Sequence, residues 1–172
     1  MSRNTLNLKI PYDYMHDLIE LSWSDIEFFI EEGYLADEGA ILHSYKVLEN
    51  DENAVYNDDI ISLSLLIKKQ AIYPFFDRLL KKDTSKNKSL VMEKALFIIL
   101  SWLYENKDKY DDPLGMVEVI YEDFDFSNKV EGFVRYMPAK NLRKAGEKQM
   151  YIDWKKYLEE ERKYLEEQLK EN

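Results

Sequence analysis

The 172-residue sequence contains no cysteine, only five glycines and four prolines, and no long apolar run. Without cysteine the chain can form no disulfide framework, thiolate metal site or cysteine nucleophile. The scarcity of glycine and proline argues against a barrel or sandwich built from many tight turns. The longest apolar stretch, Ala95–Leu103, is nine residues long and includes Ser101, whereas a membrane-spanning helix needs roughly 20 residues. We therefore expect no membrane association.

We expect neither a targeting signal nor an internal domain boundary in this sequence. Its first ten residues contain Arg3 and Lys9 but no apolar run of a secretory signal, which, with the missing cysteine, favours a cytoplasmic protein. Apolar residues make up 45% of the chain, enough for a core. No repeat or Pro/Ser/Gly-rich linker divides the sequence. We therefore predict a single domain over residues 1–172, with a core over 1–138 and a C-terminal helix over 139–172.

Apolar residues recur at helical spacing along most of the chain, which predicts an all-α, irregular bundle of about seven or eight helices. In the first segments, Ser24 and Glu27 have the spacing of a capping box, and Gly33 is the expected end of that helix. Asp37 should cap the next helix. The apolar face expected for that helix contains Ile41, Tyr45 and Leu48.

The middle of the chain leaves one alternative open. Asn57 or Asp58 is expected to cap a helix that continues to Ala71, although Ile60–Ile67 could also be a buried strand. The segment from Ser89 to Asn106 is apolar on nearly all sides and is the candidate central core helix, with Trp102 inside.

Two helix predictions follow Asn106. Asp112 and Pro113 form a helix start, and the apolar residues after them fall at helical positions: Val117, Ile120, Tyr121 and Phe124. Val130–Met137 is expected to form a short helix, with a strand as the alternative because Gly132 interrupts it.

The last segment, from Glu147 to Lys170, is predicted to be a long helix. Tyr151, Leu158 and Leu165 recur along it at heptad spacing. We expect this stripe to dock onto the same chain, while dimerisation through it remains the alternative, so a monomer and a dimer both stay open.

Charge is distributed unevenly along the sequence. Residues 1–60 hold 14 acidic and 3 basic residues, whereas residues 61–110 hold 5 acidic and 10 basic residues. The acidic first third should repel nucleic acid and attract a basic partner. The basic stretch is expected to act as internal counter-charge, and it contains Lys68, Lys69, Arg78, Lys81, Lys82, Lys86 and Lys88.

Signatures of catalysis are scarce. His16 and His43 have no His or Cys neighbour at ligand spacing, so no transition-metal site is expected. No nucleophile elbow or glycine-rich phosphate loop occurs. Glu118, Glu122 and Asp125 could form a carboxylate pair for metal-assisted hydrolysis, but solvated helix faces commonly carry such spacing. We therefore expect a protein that is not an enzyme and needs no cofactor or metal.

Binding to another protein is the function that this composition favours. The candidate surface combines acidic residues of the first third with Tyr34, which is expected to reach the surface near Gly33. Its members are Glu31, Glu32, Tyr34, Asp37, Glu38, Asp51, Glu52, Asp58 and Asp59.

Several motifs carry a family resemblance over roughly Tyr12 to Pro138. They are "LSWSDIEFFIEEGYL" near the start, then "LSWLYENK", "DPLGMVEVIYEDFDF" and "GFVRYMP". The stretch resembles a family of small uncharacterised bacterial proteins associated with polymorphic or contact-dependent toxins and regarded as immunity proteins. The resemblance implies an all-helical antidote that binds a cognate toxin domain, often a nuclease. It implies no active site or ligand.

Overall fold

The computed structural model describes residues 2–67, 71–84, 87–135 and 146–171. Within these ranges it contains eight α-helices and three short 3-10 helices, and no β-strand. The α-helices are α1 (Tyr12–Leu18), α2 (Trp23–Glu31), α3 (Glu38–Asn50), α4 (Asp58–Ser64), α5 (Phe75–Lys82), α6 (Lys88–Glu105), α7 (Pro113–Asp123) and α8 (Glu147–Glu171). The 3-10 helices are Glu52–Tyr56, Lys107–Lys109 and Glu131–Phe133. The predicted all-α fold with a long C-terminal helix is confirmed.

The chain divides into two compact units, one of residues 9–91 and one that combines residues 1–8 with 92–172. The single domain expected over residues 1–172 stays a prediction, and its internal boundary at 138/139 lies outside the described residues. Among the described helices, none combines the length and the apolar character that crossing a bilayer requires.

In the unit of residues 9–91, α3 packs against α2 and α4, and α4 packs against α5. Burial of apolar side chains drives this packing. The largest fully buried ones include Met15, Ile26, Phe29, Leu63, Ile72 and Phe76. These contacts fix α2, α3 and α5, which carry the surface described below.

The start of α2 differs from the prediction. Ser22, not Ser24, is the N-cap, and it forms a reciprocal capping box with Asp25 at the third helical position. Ser24 instead donates from its backbone N and its Oγ to Asp83 Oδ2, at 2.9 and 2.7 Å. Asp83 follows α5 directly, so this pair of hydrogen bonds ties the beginning of α2 to the end of α5.

The end of α2 follows the prediction. Gly33 has a φ of +75°, a left-handed conformation that glycine adopts without a Cβ clash. The backbone N–H of Tyr34 then donates to the carbonyl of Phe29 at 2.8 Å. This reversal turns the Tyr34 ring back against the rings of Phe28 and Phe29.

The helices α3 and α4 are confirmed as helices, with two corrections. The buried face of α3 includes Ile41, His43 and Ser44, whereas Tyr45 is 44% exposed and was expected on that face. Asn57 caps α4 as one of the two predicted residues, but α4 ends at Ser64 rather than near Ala71, and residues 68–70 lie outside the described residues. The strand alternative for Ile60–Ile67 is wrong over Ile60–Ser64, which is helical.

In the unit of residues 1–8 and 92–172, α6 forms the predicted core helix. Its residues 95–100 are all buried, as is Leu103, whereas Trp102 is partly exposed and not fully inside as expected. The α7 helix begins as predicted, since the Asp112 side chain accepts from the backbone N–H of Gly115 at 3.1 Å and Pro113 is the first helical residue.

Between α7 and α8 the predicted helix over Val130–Met137 is wrong for the described part. Only Glu131–Phe133 is helical, as one 3-10 turn, and Met137 lies outside the described residues. Val130 and Phe133 are nevertheless buried. The apolar spacing therefore predicts which side chains are buried, but it does not predict the type of secondary structure.

The α8 helix docks onto its own unit. The rings of Phe133 and Trp154 stack with centroids 5.9 Å apart, and Trp154 and Leu165 are both 0% exposed. Of the predicted stripe, Leu165 is buried while Tyr151 and Leu158 are partly exposed. The expected docking of this helix onto the same chain is therefore confirmed for Leu165.

Candidate protein-binding surface

Tyr73 precedes α5, is 42% exposed and lies within the electrostatic influence of several acidic side chains. Partial burial raises the pKa of the Tyr73 phenol, and the negative charges of Asp37, Glu31, Asp77 and Glu27 raise it further, in that order. These four carboxylates therefore lie close enough to the phenol to act on its ionisation. We call Tyr73 and these four residues the Tyr73 surface.

Local structure places each member of the Tyr73 surface. Glu27 and Glu31 are four residues apart on α2 and so share one helix face. Asp37 is the residue that precedes α3, and Asp77 lies in the first turn of α5. Because α2 packs against both α3 and α5, carboxylates on α2, before α3 and on α5 can all act on one tyrosine.

A second polar site lies at the start of α4. Its groove, with a volume of about 590 Å³, is lined by Asn53, Tyr56, Asn57, Asp58, Asp59, Arg78 and Lys82. Asp59 Oδ1 accepts from Arg78 Nε at 2.8 Å, and Lys82 Nζ lies 3.8 Å from Asp59 Oδ2. Arg78 and Lys82 thus neutralise an acid of the first third, which confirms the expected internal counter-charge for these two residues. The expected roles of Lys68, Lys69 and Lys86 fall outside the described residues.

The structure distributes the nine predicted binding residues between exposed and buried positions. Glu31, Asp37, Asp51, Glu52 and Asp58 are exposed, and Glu32 and Glu38 are partly exposed. Asp59 is 9% exposed and is held by Arg78. Tyr34 is 2% exposed, so the expectation that it reaches the surface is wrong, because the turn at Gly33 packs its ring onto Phe29.

Sequence reasoning missed Tyr73 and Asp77. Tyr73 directly precedes the bend residue Pro74 and Asp77 lies four residues beyond Tyr73, but neither fact indicates that α2 is nearby. Tyr56 was also missed, and it is 83% exposed beside the exposed Val55. Its position between Glu52 and Asp58, in the polar loop after α3, was the available signal.

A comparison with protein families decides the family of the chain. The profile described as "Uncharacterized protein conserved in bacteria (DUF2247)" matches residues 12–162. The chain belongs to this family. No curated protein and no solved structure matches it. The DUF2247 match begins at the residue where the expected resemblance began and extends through most of α8, farther than the expected end at Pro138.

The carboxylates of α7, which lie within the DUF2247 match, have structural partners. Arg135 Nε donates to Glu118 Oε1 at 2.8 Å, and the Arg135 guanidinium also donates to Asp112. These two hydrogen bonds, the one to Glu118 first, raise the pKa of Arg135. Glu118 therefore faces a guanidinium, and Glu122 is exposed.

The neighbouring acids bind the start of the chain. Thr5 donates to the Asp123 carboxylate from its backbone N at 2.9 Å and from its Oγ1 at 2.6 Å, and Arg3 pairs with Asp125 at 2.8 Å. The described residues include no group of three or more His, Cys, Asp or Glu side chains that could hold a metal ion. Of the three carboxylates that could form a pair for hydrolysis, Glu118 thus pairs with Arg135 and Asp125 with Arg3, whereas Glu122 is exposed.

The two histidines have separate environments. His43 is buried, its Nδ1 lies 2.8 Å from the Tyr12 hydroxyl, and the Trp23 ring packs edge-on at 4.5 Å. His43 is therefore a packed residue of its unit. His16 is partly exposed, with its Nδ1 3.5 Å from Asp17 Oδ1.

Proposed function

We propose that this protein is an immunity protein that binds and neutralises a cognate bacterial toxin domain through the Tyr73 surface. The main supporting observation is a partly exposed tyrosine whose phenol feels the negative charge of four carboxylates, two on α2, one directly before α3 and one on α5. The toxin-system association of the resembled family supports the same role. The protein acts by binding in the cytoplasm, without a cofactor and without catalysis of its own.

The electrostatics of this surface favour a basic partner, and a nuclease domain is the toxin class that suits it. Negative charges clustered on one face make the local electrostatic potential strongly negative. Such a potential speeds and orients the approach of a positively charged protein. Residues 1–60 carry 14 acidic against 3 basic residues, so the negative field around the Tyr73 surface has sources beyond its four carboxylates.

Tyr73 gives the proposed surface an anchor. Tyrosine provides a large contact area at small entropic cost and is enriched among residues that dominate binding energy. The Tyr73 ring also contacts Phe76, with centroids 5.9 Å apart, and Phe76 is fully buried. A ring supported from below by the core is held in place before a partner arrives, which lowers the cost of binding.

The test uses the separately purified product of the gene next to the one that encodes this protein, which we expect to be a basic toxin domain. We expect it to form a complex with the protein and to lose its toxic activity there. The association rate should fall about tenfold or more between roughly 50 and 300 mM salt. The charge-reversal variant Glu31→Lys/Asp37→Lys should slow association by a similar factor at low salt.

The matched control is Glu166→Lys/Glu167→Lys, which makes the same charge change at two exposed positions of α8. It should associate at nearly the wild-type rate. An equal loss in both variants would mean that net charge alone matters, and salt-insensitive association would refute the electrostatic docking. Absence of any complex with the neighbouring domain would refute the immunity function itself.

The anchor has its own variant. Tyr73→Ala should raise the dissociation rate about tenfold, as expected when a tyrosine anchor is lost. Tyr45→Ala is the control, because Tyr45 is 44% exposed, much like Tyr73, but lies well along α3. Equal dissociation rates for the two variants would exclude Tyr73 as the anchor.

A further inference from the structure

A groove on α8 carries a charge opposite to the net charge of the protein. It has a volume of about 500 Å³ and is lined by Tyr104, Lys148, Tyr151, Ile152, Lys155, Lys156 and Glu159. Three lysines thus face one glutamate in a chain whose net charge is −10. Sites for small molecules commonly have volumes of roughly 300–1,000 Å³, and this groove falls in that range.

The positive charge of the groove is largely uncompensated. Lys148 and Lys155 have no ion-pair partner within the described ranges, and Lys156 has only the exposed Glu160, at 3.7 Å. Glu147, the acid next to Lys148, lies 3.7 Å from Arg135 instead. Exposed pairs at such distances contribute little, so the lysines remain available to an anion.

The walls of the groove are aromatic and apolar. Tyr104 packs edge-on against Trp154 with centroids 5.1 Å apart, and Tyr151 stacks on the same indole at 6.0 Å. Lys107 Nζ lies 4.1 Å from the Tyr104 ring centroid, which adds a fourth cation beside the wall. Ile152 is 52% exposed and completes an apolar contact area.

We propose that this groove binds a small organic phosphate that carries an aromatic ring, of the size of a nucleoside monophosphate. Compact ammonium groups are suited to phosphate as point charges, and tyrosine rings are suited to stacking on a planar base. A long nucleic-acid strand would extend beyond the few lysines of the groove and be repelled by the acidic remainder of the protein. A small anion stays within the groove, and salt screens its repulsion by acidic residues farther away than about 10 Å.

The test is a titration of the full chain with adenosine monophosphate, in which the amide chemical shifts are monitored by two-dimensional NMR. Adenosine monophosphate should give saturable shifts at Tyr151, Ile152 and Lys155. Inorganic phosphate lacks the aromatic base and adenosine lacks the phosphate, so each should bind at least about tenfold more weakly than adenosine monophosphate. An oligoadenylate that binds more tightly per nucleotide than the monophosphate would overturn the small-molecule assignment.

Two variants separate the groove from general charge. Lys148→Glu/Lys155→Glu should weaken binding of adenosine monophosphate by at least about tenfold. Lys163→Glu/Lys170→Glu makes the same charge change on α8 outside the groove and should bind as the wild type does. Circular dichroism confirms that each variant is folded. Equal weakening in both variants, or no saturable shift in the wild type, would overturn the proposal.

Discussion

Arg135 holds the buried carboxylate of Glu118 through an Nε–Oε1 hydrogen bond of 2.8 Å, and Glu118 is 7% exposed. The guanidinium side chain is itself 31% exposed. One charge of this pair is therefore desolvated and depends on the other, which is the situation in which removal of one partner is costly.

Replacement of the partly exposed arginine should expose this dependence. Arg135→Met should lower the free energy of unfolding by about 2 kcal/mol, less than for a fully buried pair because solvent screens part of the interaction. The double variant Glu118→Gln/Arg135→Met should recover part of the loss. Urea denaturation measures both. Lys46→Met, which removes an exposed pair with Glu49 at 3.2 Å, should change stability by no more than about 0.5 kcal/mol.

Asp112 should make stability depend on acid pH. The hydrogen bond from Arg135, and then the one from the Gly115 N–H, hold the pKa of Asp112 below its ordinary value of 3.8. A lowered pKa in the folded state means that the carboxylate stabilises the fold above the unfolded value, and that this contribution is lost as pH falls through the folded value. The urea midpoints of wild type and Asp112→Asn should therefore converge on acidification.

The control for this pH effect is Asp111→Asn. It keeps Asp112, so its midpoint should follow the wild-type pH profile. A gap between wild type and Asp112→Asn that stayed constant down to strong acid would contradict the assigned direction. Carbon-13 NMR of the Asp112 carboxyl, in wild type and in Arg135→Met, gives a direct measurement, and the pKa should be higher in the variant.

The N-cap of α4 offers a matched pair of asparagines. Asn57 accepts from the backbone N–H groups of Asp59 and Ile60, whereas Asn53 is exposed nearby in the same groove. Asn57→Ala should cost about 1 kcal/mol because two backbone donors lose their acceptor. Asn53→Ala should stay within about 0.5 kcal/mol of wild type. Similar losses at both positions in thermal denaturation would dispute the cap.

Two leucines of the heptad stripe separate docking on the same chain from dimerisation. Leu165→Ala should destabilise the protein by about 3 kcal/mol, because it leaves a cavity in a closed core. Leu158→Ala, at a partly exposed position, should cost less than about 1.5 kcal/mol. If the stripe formed a dimer interface, the urea midpoint would rise with protein concentration; we expect the same midpoint over a tenfold concentration range.

The sequence is sufficient to predict a helix start when the residues that determine it are neighbours in the sequence. The start of α7 was predictable because Asp112 and Pro113 act on the first turn that follows them. The capping box was misplaced because the choice between Ser22 and Ser24 is made by Asp83, 59 residues away, which engages Ser24. Nothing in the sequence near Ser22 or Ser24 indicates that Asp83 accepts hydrogen bonds from Ser24.

The binding surface was predictable only in part for the same reason. An excess of acid in the first third was visible in the sequence, but the gathering of Glu31 and Asp37 around Tyr73 depends on how α2 packs against α3 and α5. The burial of Tyr34 likewise depends on a chain reversal onto Phe29. Composition thus located the charge, and tertiary packing selected its anchor.

The contacts of Thr5 and Arg3 with Asp123 and Asp125 impose an order on folding during synthesis. Thr5 is made 118 residues before the carboxylate that accepts its hydrogen bonds, so Thr5 leaves the ribosome long before Asp123 is available. Residues 9–91 are complete much earlier, and domains generally fold as units as they emerge. The segments 1–8 and 92–172 of the other unit can therefore make these contacts only after α7 has been translated. By then, residues 9–91 have had time to fold.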